Sequence, residues 1–361
     1  MKRVRVAVIP GDGIGQEVVP AALKVLRRVA ECSQRLEWEF VEFPWGCQYY
    51  VDTGMMMPDD GLDQLRYFNA IFLGAVGDPR VPDHLSLWGL LLPIRRGFDQ
   101  YINLRPVKLL PGVEIPLKGY GPGSIDFLVI RENTEGEYSN IGGRLRAGTP
   151  DEVVIQNSVF TRKGTERVIR YAFERARRSR RQVTGATKSN GINYTMPFWD
   201  EVFRAVARDY PDVSSHLYHI DALVAYFVTR PESFDVVVAS NLFGDILTDL
   251  GGAIQGGIGM AASANINPEN HFPSMFEPVH GSAPDIAGRG IANPVGQLWT
   301  AALMCEHLGF PEEGAWIIKA VERTLEDGVK TPDLGGQART DDVVERVLTH
   351  VERLSHCDAG K

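Results

Sequence analysis

The chain alternates short β-branched segments with longer segments of helical periodicity, and this alternation restricts the fold more than any other feature. Residues 4–9 and 234–239 are short runs rich in β-branched and other apolar residues, typical of buried strands, and 70–74, 125–130 and 153–155 are further candidate strands. Residues 16–28 and 162–178 instead repeat apolar residues at helical intervals. Strands that alternate with helices predict an α/β fold with a largely parallel sheet.

Glycine positions indicate where elements begin and end. A helix is expected to begin near Gly244, after the strand 234–239, and further helices are expected at 299–307 and 314–326. The glycine-rich segment 251–259 is predicted to be a loop near a domain hinge. A chain of 361 residues is long enough for about two domains.

Charge and composition argue against several classes of partner. The formal net charge of −8 disfavours nucleic acid and anionic membranes. The basic run 175–181 is interpreted as the solvated end of a helix, where cations complement the helix dipole. No apolar run approaches membrane-spanning length, and the N-terminal apolar stretch is too short for a signal peptide. The cysteines are scattered, which favours a reducing cytoplasm over a disulfide framework: Cys32, Cys47, Cys305 and Cys357.

Residues 10–15 (PGDGIG) partly match the dinucleotide-binding fingerprint of a Rossmann fold. The match is incomplete because Gln16 stands where the third glycine is required. We therefore interpret the segment as a tight turn with exposed backbone N–H groups. This interpretation leaves open that the turn borders a ligand.

Three arginines lie at the ends of predicted elements. Arg95 follows the apolar segment 90–94, Arg105 lies in NLRP, and Arg131 ends the strand 125–130. The planar guanidinium matches a carboxylate, and strand ends meet the crevice of an α/β sheet. A single arginine more often forms a surface ion pair, but the three together indicate a carboxylate-binding site.

Aspartates at helical spacing indicate a divalent metal. Asp245 and Asp249 lie on one face of the predicted helix, where like charges repel unless a cation offsets them. Mg²⁺ and Mn²⁺ favour such oxygen ligands. Asp221 lies among apolar residues of another segment with helical spacing, where a charge without a partner is costly to bury. The alternative is that Asp245 favours the helix N-terminus and Asp249 is simply exposed.

Residues for proton transfer and substrate contact are weaker candidates. An amine beside a metal and arginines loses its proton more easily, so Lys188 is a candidate base, and Tyr138 is a candidate proton donor. Asn190 lies in the same short segment as Lys188. From spacing alone the signal is weak, and a lysine of this kind is usually an ordinary surface residue. Residues 277–294 form a loop of small residues that lets a flat ligand approach the backbone, with a structural connection as the alternative.

Five motifs in this order resemble the β-decarboxylating dehydrogenases, the family of isocitrate, isopropylmalate and tartrate/D-malate dehydrogenases. They cover nearly the whole chain: PGDGIG (10–15), NLRP (103–106), RENTEGEY (131–138), NLFGDILTDLGG (241–252) and EPVHGSAPDIAG (277–288). The resemblance implies two α/β domains around a central cleft, in a fold that is not a Rossmann fold. It implies a cofactor-side domain of residues 1–99 and 257–361, and a smaller domain of 100–256 with the dimer interface and an arm.

The resemblance also implies roles for the candidate residues. The substrate would be held by five of them: Arg95, Arg105, Arg131, Leu91 and Asn190. Asp245 and Asp249 would bind Mn²⁺ or Mg²⁺ together with Asp221 of the partner subunit. Lys188 of the partner subunit would take the hydroxyl proton beside Asp221, and Tyr138 would protonate the enol after loss of CO₂. Sites shared in this way imply a homodimer.

The cofactor implied by the resemblance is NAD, lying along the loop 277–294. Its binding residues would be His280, Gly281, Ser282, Ala283, Asp285, Ile286 and Asn293. Asp285 and Ile286 stand where relatives that use NADP carry a positive residue and a tyrosine. A carboxylate attracts ribose hydroxyls and repels a 2′-phosphate, which favours NAD. K⁺ is a candidate monovalent activator.

The stretch before Arg95 predicts the substrate. Isocitrate enzymes carry a serine and an asparagine there, and isopropylmalate enzymes typically a glutamate near Trp88, whereas this chain has HLSLWGLLLPIRR (84–96). The segment is similar to the tartrate/D-malate branch. The predicted reactions are NAD-dependent oxidation of tartrates, conversion of D-malate to pyruvate and CO₂, and conversion of meso-tartrate to glycerate. The alternatives are a 3-isopropylmalate dehydrogenase, because Leu91 tolerates an alkyl group, and a metabolite-binding sensor without catalysis.

Overall fold

The structure, a computed structural model, describes residues 1–358, without the side chains of the last three. The strands, in chain order, are β1 (Lys2–Gly11), β2 (Leu36–Glu42), β3 (Ala70–Ala75), β4 (Ile102–Lys108), β5 (Asp126–Glu132), β6 (Gly142–Leu145), β7 (Val153–Gln156), β8 (Gln182–Thr187), β9 (Ser214–His219), β10 (Val236–Ala239), β11 (Ala262–Ile266) and β12 (Ser274–Pro278). All of them except β6 and β7 join one sheet in the order β2-β1-β3-β12-β11-β4-β5-β10-β8-β9.

The helices follow the same numbering. They are α1 (Gly15–Ser33), α2 (Cys47–Thr53), α3 (Gly61–Leu65), α4 (Asp83–Ser86), α5 (Leu92–Gly97), α6 (Arg162–Arg177), α7 (Thr195–Arg208), α8 (Ile220–Thr229), α9 (Asn241–Ile254), α10 (Val295–His307), α11 (Pro311–Glu326) and α12 (Thr340–Asp358). A π-helical turn, Leu87–Leu91, joins α4 to α5, and short 3₁₀ turns occur at Pro231–Ser233, Ile258–Met260 and Pro332–Leu334. None of the described helices is long and apolar enough to cross a membrane.

The sheet consists of two groups of parallel strands joined by antiparallel pairs. The pairs β12–β11, β11–β4 and β4–β5 are antiparallel, whereas the pairs on either side of them are parallel. The predicted α/β fold is confirmed, with a mixed centre that the alternation of elements did not reveal. We call the strands β2, β1, β3, β12 and β11 with their helices the large half, and the remaining five the small half. We propose that these halves are the two domains predicted above.

Helices cover the sheet where the sequence places apolar faces. In the large half, α1, α10, α11 and α12 pack on one another, and α10 lies on β11 and β12. In the small half, α6 packs against α7 and contacts β5, β8 and β10. A second apolar cluster, with Ile9 and Leu73 at its centre, receives α5 and the π-helical turn through Leu90 and Ile94. This second cluster supports the segment predicted to select the substrate.

Two local predictions need correction, and a third is confirmed. The helix expected near Gly244 begins at Asn241, because Ser240 takes an extended N-cap conformation. The predicted loop 251–259 is helical as far as Ile254, since Gly251 and Gly252 are buried against neighbouring elements. The strand predicted at 153–155 is confirmed as β7, which pairs with β6 in an exposed ribbon.

Cysteine and arginine placements agree with the sequence-based interpretation where the structure describes them. Cys32, Cys47 and Cys305 are free thiols, and the side chain of Cys357 lies outside the described residues. The basic run 175–181 spans the C-terminal end of α6, where Arg175 and Arg177 form ion pairs with carboxylates.

Candidate active site

Arg105 and Arg131 come from adjacent antiparallel strands and converge on one carboxylate. Arg105 lies on β4 and Arg131 on β5, and both guanidinium groups reach Asp245 in the first turns of α9. Arg131 donates a hydrogen bond to Asp245, and Arg105 Nη1 lies 3.7 Å from Asp245 Oδ1. Gly244 permits this approach, because a Cβ atom there would lie 2.6 Å from the Cβ of Arg131.

Burial and mutual repulsion set the charges of this group. Burial, followed by the nearby Arg131 charge, lowers the pKa of Arg105 to about 9, and burial also lowers the pKa of Arg131. Both remain cationic at neutral pH. Burial opposes ionisation of Asp245, but Arg131 and Arg105 hold the pKa of its carboxyl below the usual range. The cluster thus concentrates positive charge where a substrate carboxylate would bind.

Residues that were not predicted hold α9 in place against β5. Asn241 Oδ1 accepts hydrogen bonds from Arg131 Nη2 at 2.7 Å and Nε at 3.1 Å. Glu137 accepts from Ser240 Oγ at 2.7 Å and from the Leu242 N–H at 3.0 Å, so its carboxylate caps the N-terminus of α9. Their only sequence signal was membership of the motifs RENTEGEY and NLFGDILTDLGG.

Arg95 belongs to the same group of arginines, but its ion-pair partner lies in the large half. Its Nη2 lies 2.5 Å from Glu277 Oε1, and both side chains are buried. Asn265 also donates to Glu277, at 2.7 Å. Arg95 adds to the positive charge that lowers the pKa of Asp245, so the three predicted arginines do gather in one place. Glu277 was missed because nothing in the sequence pairs it with Arg95.

Tyr138 contacts the arginine and aspartate group directly. Its hydroxyl donates to Asp245 Oδ2 at 3.0 Å, and its ring lies 5.6 Å from the Arg131 guanidinium. Burial and the Asp245 charge raise the pKa of Tyr138. The phenol therefore keeps its proton at neutral pH and is available as a donor.

The two aspartates of α9 differ in environment. Asp249 is exposed one turn beyond Asp245, and burial together with the Asp245 charge raises its pKa. Oxygen ligands that repel each other in this way suit a divalent cation. Within the described part of the protomer, however, no group of three His, Cys, Asp or Glu side chains is placed to hold a metal ion. The protomer therefore presents two of the three predicted metal ligands together.

Lys188 and Asp221 form a separate pair. Lys188 Nζ lies 2.7 Å from Asp221 Oδ1, after β8 and at the start of α8 respectively. The Asp221 side chain is 67% exposed, so the premise that this charge is buried among apolar residues is wrong. The hydrogen bond from Lys188 lowers the pKa of Asp221. Asn190 is exposed beside Lys188.

The predicted cofactor loop follows β12 and packs against the PGDGIG turn. The Ile14 N–H donates to the Ser282 carbonyl at 2.8 Å, and Gly13, with φ +54°, leaves no room for a side chain against Ser282. Ala283 and Ile286 pack with Ile14 in a small apolar cluster. The turn rejected as a Rossmann fingerprint thus supports the loop.

The loop also presents groups for a ligand. His280 is buried, burial lowers its pKa, and its Nε2 has no hydrogen-bond partner. Gly281 and Asp285 are exposed, and space beside Gly281 is open. Asn293 is instead engaged within the protein, donating to Asp333 at 2.9 Å and accepting from the Val295 N–H.

The segment before Arg95 is where the predicted substrate selectivity resides. Leu91 is half-buried at the end of the π-helical turn. The guanidinium of Arg96 lies 4.9 Å from the ring of Trp88 and donates to the carbonyl oxygen of Tyr138. Sequence reasoning passed over Arg96, since only a contact with a distant segment distinguishes it from an ordinary surface arginine.

Known proteins match this chain over nearly its full length. The model of the isocitrate/isopropylmalate dehydrogenase family matches residues 5–347. A protein of Bacillus subtilis named probable tartrate dehydrogenase/decarboxylase is 58% identical over 98% of this chain and 99% of its own. The D-malate dehydrogenase (decarboxylating) of Escherichia coli is 55% identical over 98% of this chain and 100% of its own.

A solved structure extends the match to the fold. The isocitrate dehydrogenase of Methylococcus capsulatus superposes with a TM-score of 0.86 at 35% identity, over 98% of this chain and 100% of that chain. The predicted family and its fold are thereby confirmed. The chain belongs to the isocitrate/isopropylmalate dehydrogenase family of oxidoreductases, whose members use a dinucleotide cofactor and a divalent metal.

Proposed function

We propose that the protein is an NAD-dependent dehydrogenase that oxidises tartrates and D-malate and decarboxylates the product where the chemistry allows it. The observation that carries the proposal is a group of three buried arginines, of which Arg105 and Arg131 contact Asp245 and Arg95 is paired with Glu277 nearby. The Tyr138 hydroxyl donates to the same Asp245 carboxylate. Such a site binds a small dicarboxylate and offers a proton beside it. Relatives named for tartrate and D-malate support this choice of acid.

The chain's own residues account for binding and proton movement. Arg95, Arg105 and Arg131 hold the substrate carboxylates and orient the 2-hydroxyl for hydride transfer. Lys188 of the partner subunit takes the hydroxyl proton, while Tyr138 later donates its phenolic proton to the carbon that loses CO₂. For D-malate the products are pyruvate, CO₂ and reduced cofactor, and meso-tartrate gives glycerate.

The residues of this chain fit a divalent metal ion and NAD. Asp245 and Asp249 would hold Mn²⁺ or Mg²⁺, with Asp221 of the partner subunit as third ligand; when bound, the metal polarises the 2-oxygen and stabilises charge on it. Unpartnered His280 Nε2, the open space at Gly281 and the exposed carboxylate of Asp285 suit the adenosine part of NAD. The proposal includes K⁺ as a monovalent activator and the cytoplasm as the place of action.

A homodimer would complete the site. Asp221 is exposed, Lys188 is half-buried, and the two pair with each other in the protomer. The ribbon β6–β7 exposes a set of large apolar side chains that a partner would cover: Ile141, Leu145, Val153, Val154 and Ile155. Tyr194, near Lys188 in sequence, is 90% exposed. Exposed apolar surface of this kind marks an interaction site.

The test is NADH formation at 340 nm with NAD, Mn²⁺ and a panel of D-malate, L-tartrate, meso-tartrate, 3-isopropylmalate and isocitrate. We expect turnover of D-malate and the tartrates, abolished by a chelator. Replacing Asp285 by Lys should raise activity with NADP relative to NAD. A preference for 3-isopropylmalate would replace the proposed substrate, and binding without turnover of any acid would favour the non-catalytic sensor.

A further inference from the structure

Arg96 connects the substrate-selecting segment to the loop that carries Tyr138. It follows Arg95 on α5 in the large half, but it does not share that residue's partner. Its Nη2 donates to the Tyr138 backbone carbonyl, and its guanidinium lies 4.9 Å from the Trp88 ring centroid. Tyr138 follows β5 of the small half, so the contact joins the two halves.

The environment makes these two contacts the main restraints on Arg96. The side chain is half-buried, and burial lowers the pKa of Arg96 while the nearby Glu132 charge opposes that shift. Its Nε is buried without a hydrogen-bond partner. A contact with an aromatic ring face and a hydrogen bond to a carbonyl stabilise a guanidinium more strongly when it is removed from water than when it is hydrated. Arg96 is therefore held in one orientation by Trp88 and the Tyr138 carbonyl.

The local backbone places Trp88 for this role. The segment departs from α geometry in the turn Leu87–Leu91, between two short α-helical pieces. Single π-helical turns of this kind are frequent at functional sites. The Tyr138 hydroxyl, at the other end of the same residue, donates to Asp245 at 3.0 Å. Arg96 thus fixes the main chain of Tyr138 while Asp245 fixes its hydroxyl.

We propose that Arg96 is a positioning residue for proton delivery by Tyr138, with Trp88 holding Arg96 in place. In this step the Tyr138 O–H bond breaks, the C=C electron pair of the enolate forms the new C–H bond at the carbon that lost CO₂, and the enolate oxygen becomes the carbonyl oxygen of the product. The phenolate then regains a proton from solvent. Arg96 acts on this step through the Tyr138 main chain and does not touch the reacting atoms. The inference rests on the proposed function.

The test compares D-malate with D-malate deuterated at C2 in the holoenzyme with NAD and Mn²⁺. Arg96→Ala should lower kcat about 10- to 100-fold, because small misplacements of a reacting group cost about that much, and change KM little. The deuterium isotope effect on kcat should fall towards one, because a step after hydride transfer becomes limiting. Tyr138→Phe should show the same pattern, and Arg96→Lys should recover part of kcat.

Arg66→Ala is the matched control. Arg66 also lies over an aromatic ring, 5.3 Å from the Phe272 centroid, but its side chain is 47% exposed and away from Tyr138. The Arg66→Ala substitution should leave kcat and the isotope effect unchanged. If the Arg96→Ala enzyme has the wild-type kcat, or has a lower kcat with an undiminished isotope effect, the proposed role of Arg96 is wrong. The proposed function of the protein is not affected by that outcome. A wild-type protein that oxidises no acid of the panel overturns the proposed function and this inference together.

Discussion

Two regions that carry the predicted catalytic residues differ in how complete they are. The arginines around Asp245 are buried, and each forms an ion pair with a carboxylate of the same protomer. The Lys188–Asp221 pair lies on exposed surface at the ends of β8 and β9, and its members contact each other. The first region is organised by folding of the single chain, whereas we propose that the second is completed by a partner subunit.

Because of this difference, substitutions in the two regions should affect protein stability and catalytic activity differently. Buried ion pairs leave a charge without compensation when one partner is removed, so changes there affect folding as well as catalysis. Exposed pairs contribute little to stability, so changes there should affect catalysis alone. The following experiments test that distinction, in order of decreasing effect.

Lys188→Met should lower kcat by about 10²- to 10⁴-fold, the range for loss of a general base, and leave the unfolding midpoint unchanged. Mixing its subunits with Asp245→Asn subunits, which are also inactive, tests sharing of the site. If Lys188 serves the partner, each mixed dimer holds one intact site, and a random mixture regains about a quarter of wild-type activity. Purified mixed dimers without activity would place Lys188 in its own protomer's site.

Arg95→Met should reduce the free energy of unfolding by about 3 kcal/mol, because it leaves Glu277 buried and uncompensated. Activity should be lost as well. Urea denaturation at fixed protein concentration measures the change. The control is Arg95→Met combined with Glu277→Met, which removes both charges and should restore much of the stability. Equal stability of Arg95→Met and wild type would contradict the account of a paired buried cluster.

Glu132→Gln should change how stability depends on pH. Burial raises the pKa of Glu132 from 4.5 to about 7 in the folded protein, so the folded state holds this proton more tightly than the unfolded state. Stability is therefore lost as pH rises from about 4.5 to 7. Between about pH 5 and pH 8, wild type should lose about 2 kcal/mol more than the variant. Parallel pH profiles of the unfolding free energy would refute this.

Asp221→Asn should have the smallest effect on stability. The side chain is exposed and its one ionic partner is Lys188, so the urea midpoint should not move measurably. Mn²⁺ affinity, measured by titration calorimetry, should nevertheless fall, since a ligand is lost. A marked drop in the midpoint would show that the pair stabilises the protomer and would remove the contrast between the two regions.

Much of the site was predictable from sequence because long motifs carry it. The arginines, the α9 aspartates and Tyr138 were all named, and the structure gathers Arg95, Arg105, Arg131, Asp245 and Tyr138 in one place. Asn241 and Glu137 lie inside the same motifs, but their roles in holding α9 were not apparent. Lys188, Asp221 and Asn190 stay predictions as members of the same site.

The family, the α/β class and the residue types of the site follow from the amino-acid sequence, because periodicity and motif order are properties of local stretches of chain. Which distant residues meet is known only from the folded chain. Arg95 and Glu277 are 182 positions apart, and Arg96 and Tyr138 are 42 apart. Such contacts depend on strand order and on the packing of one half against the other, which local patterns do not encode. For the same reason the exposure of Asp221 became visible only in the folded chain.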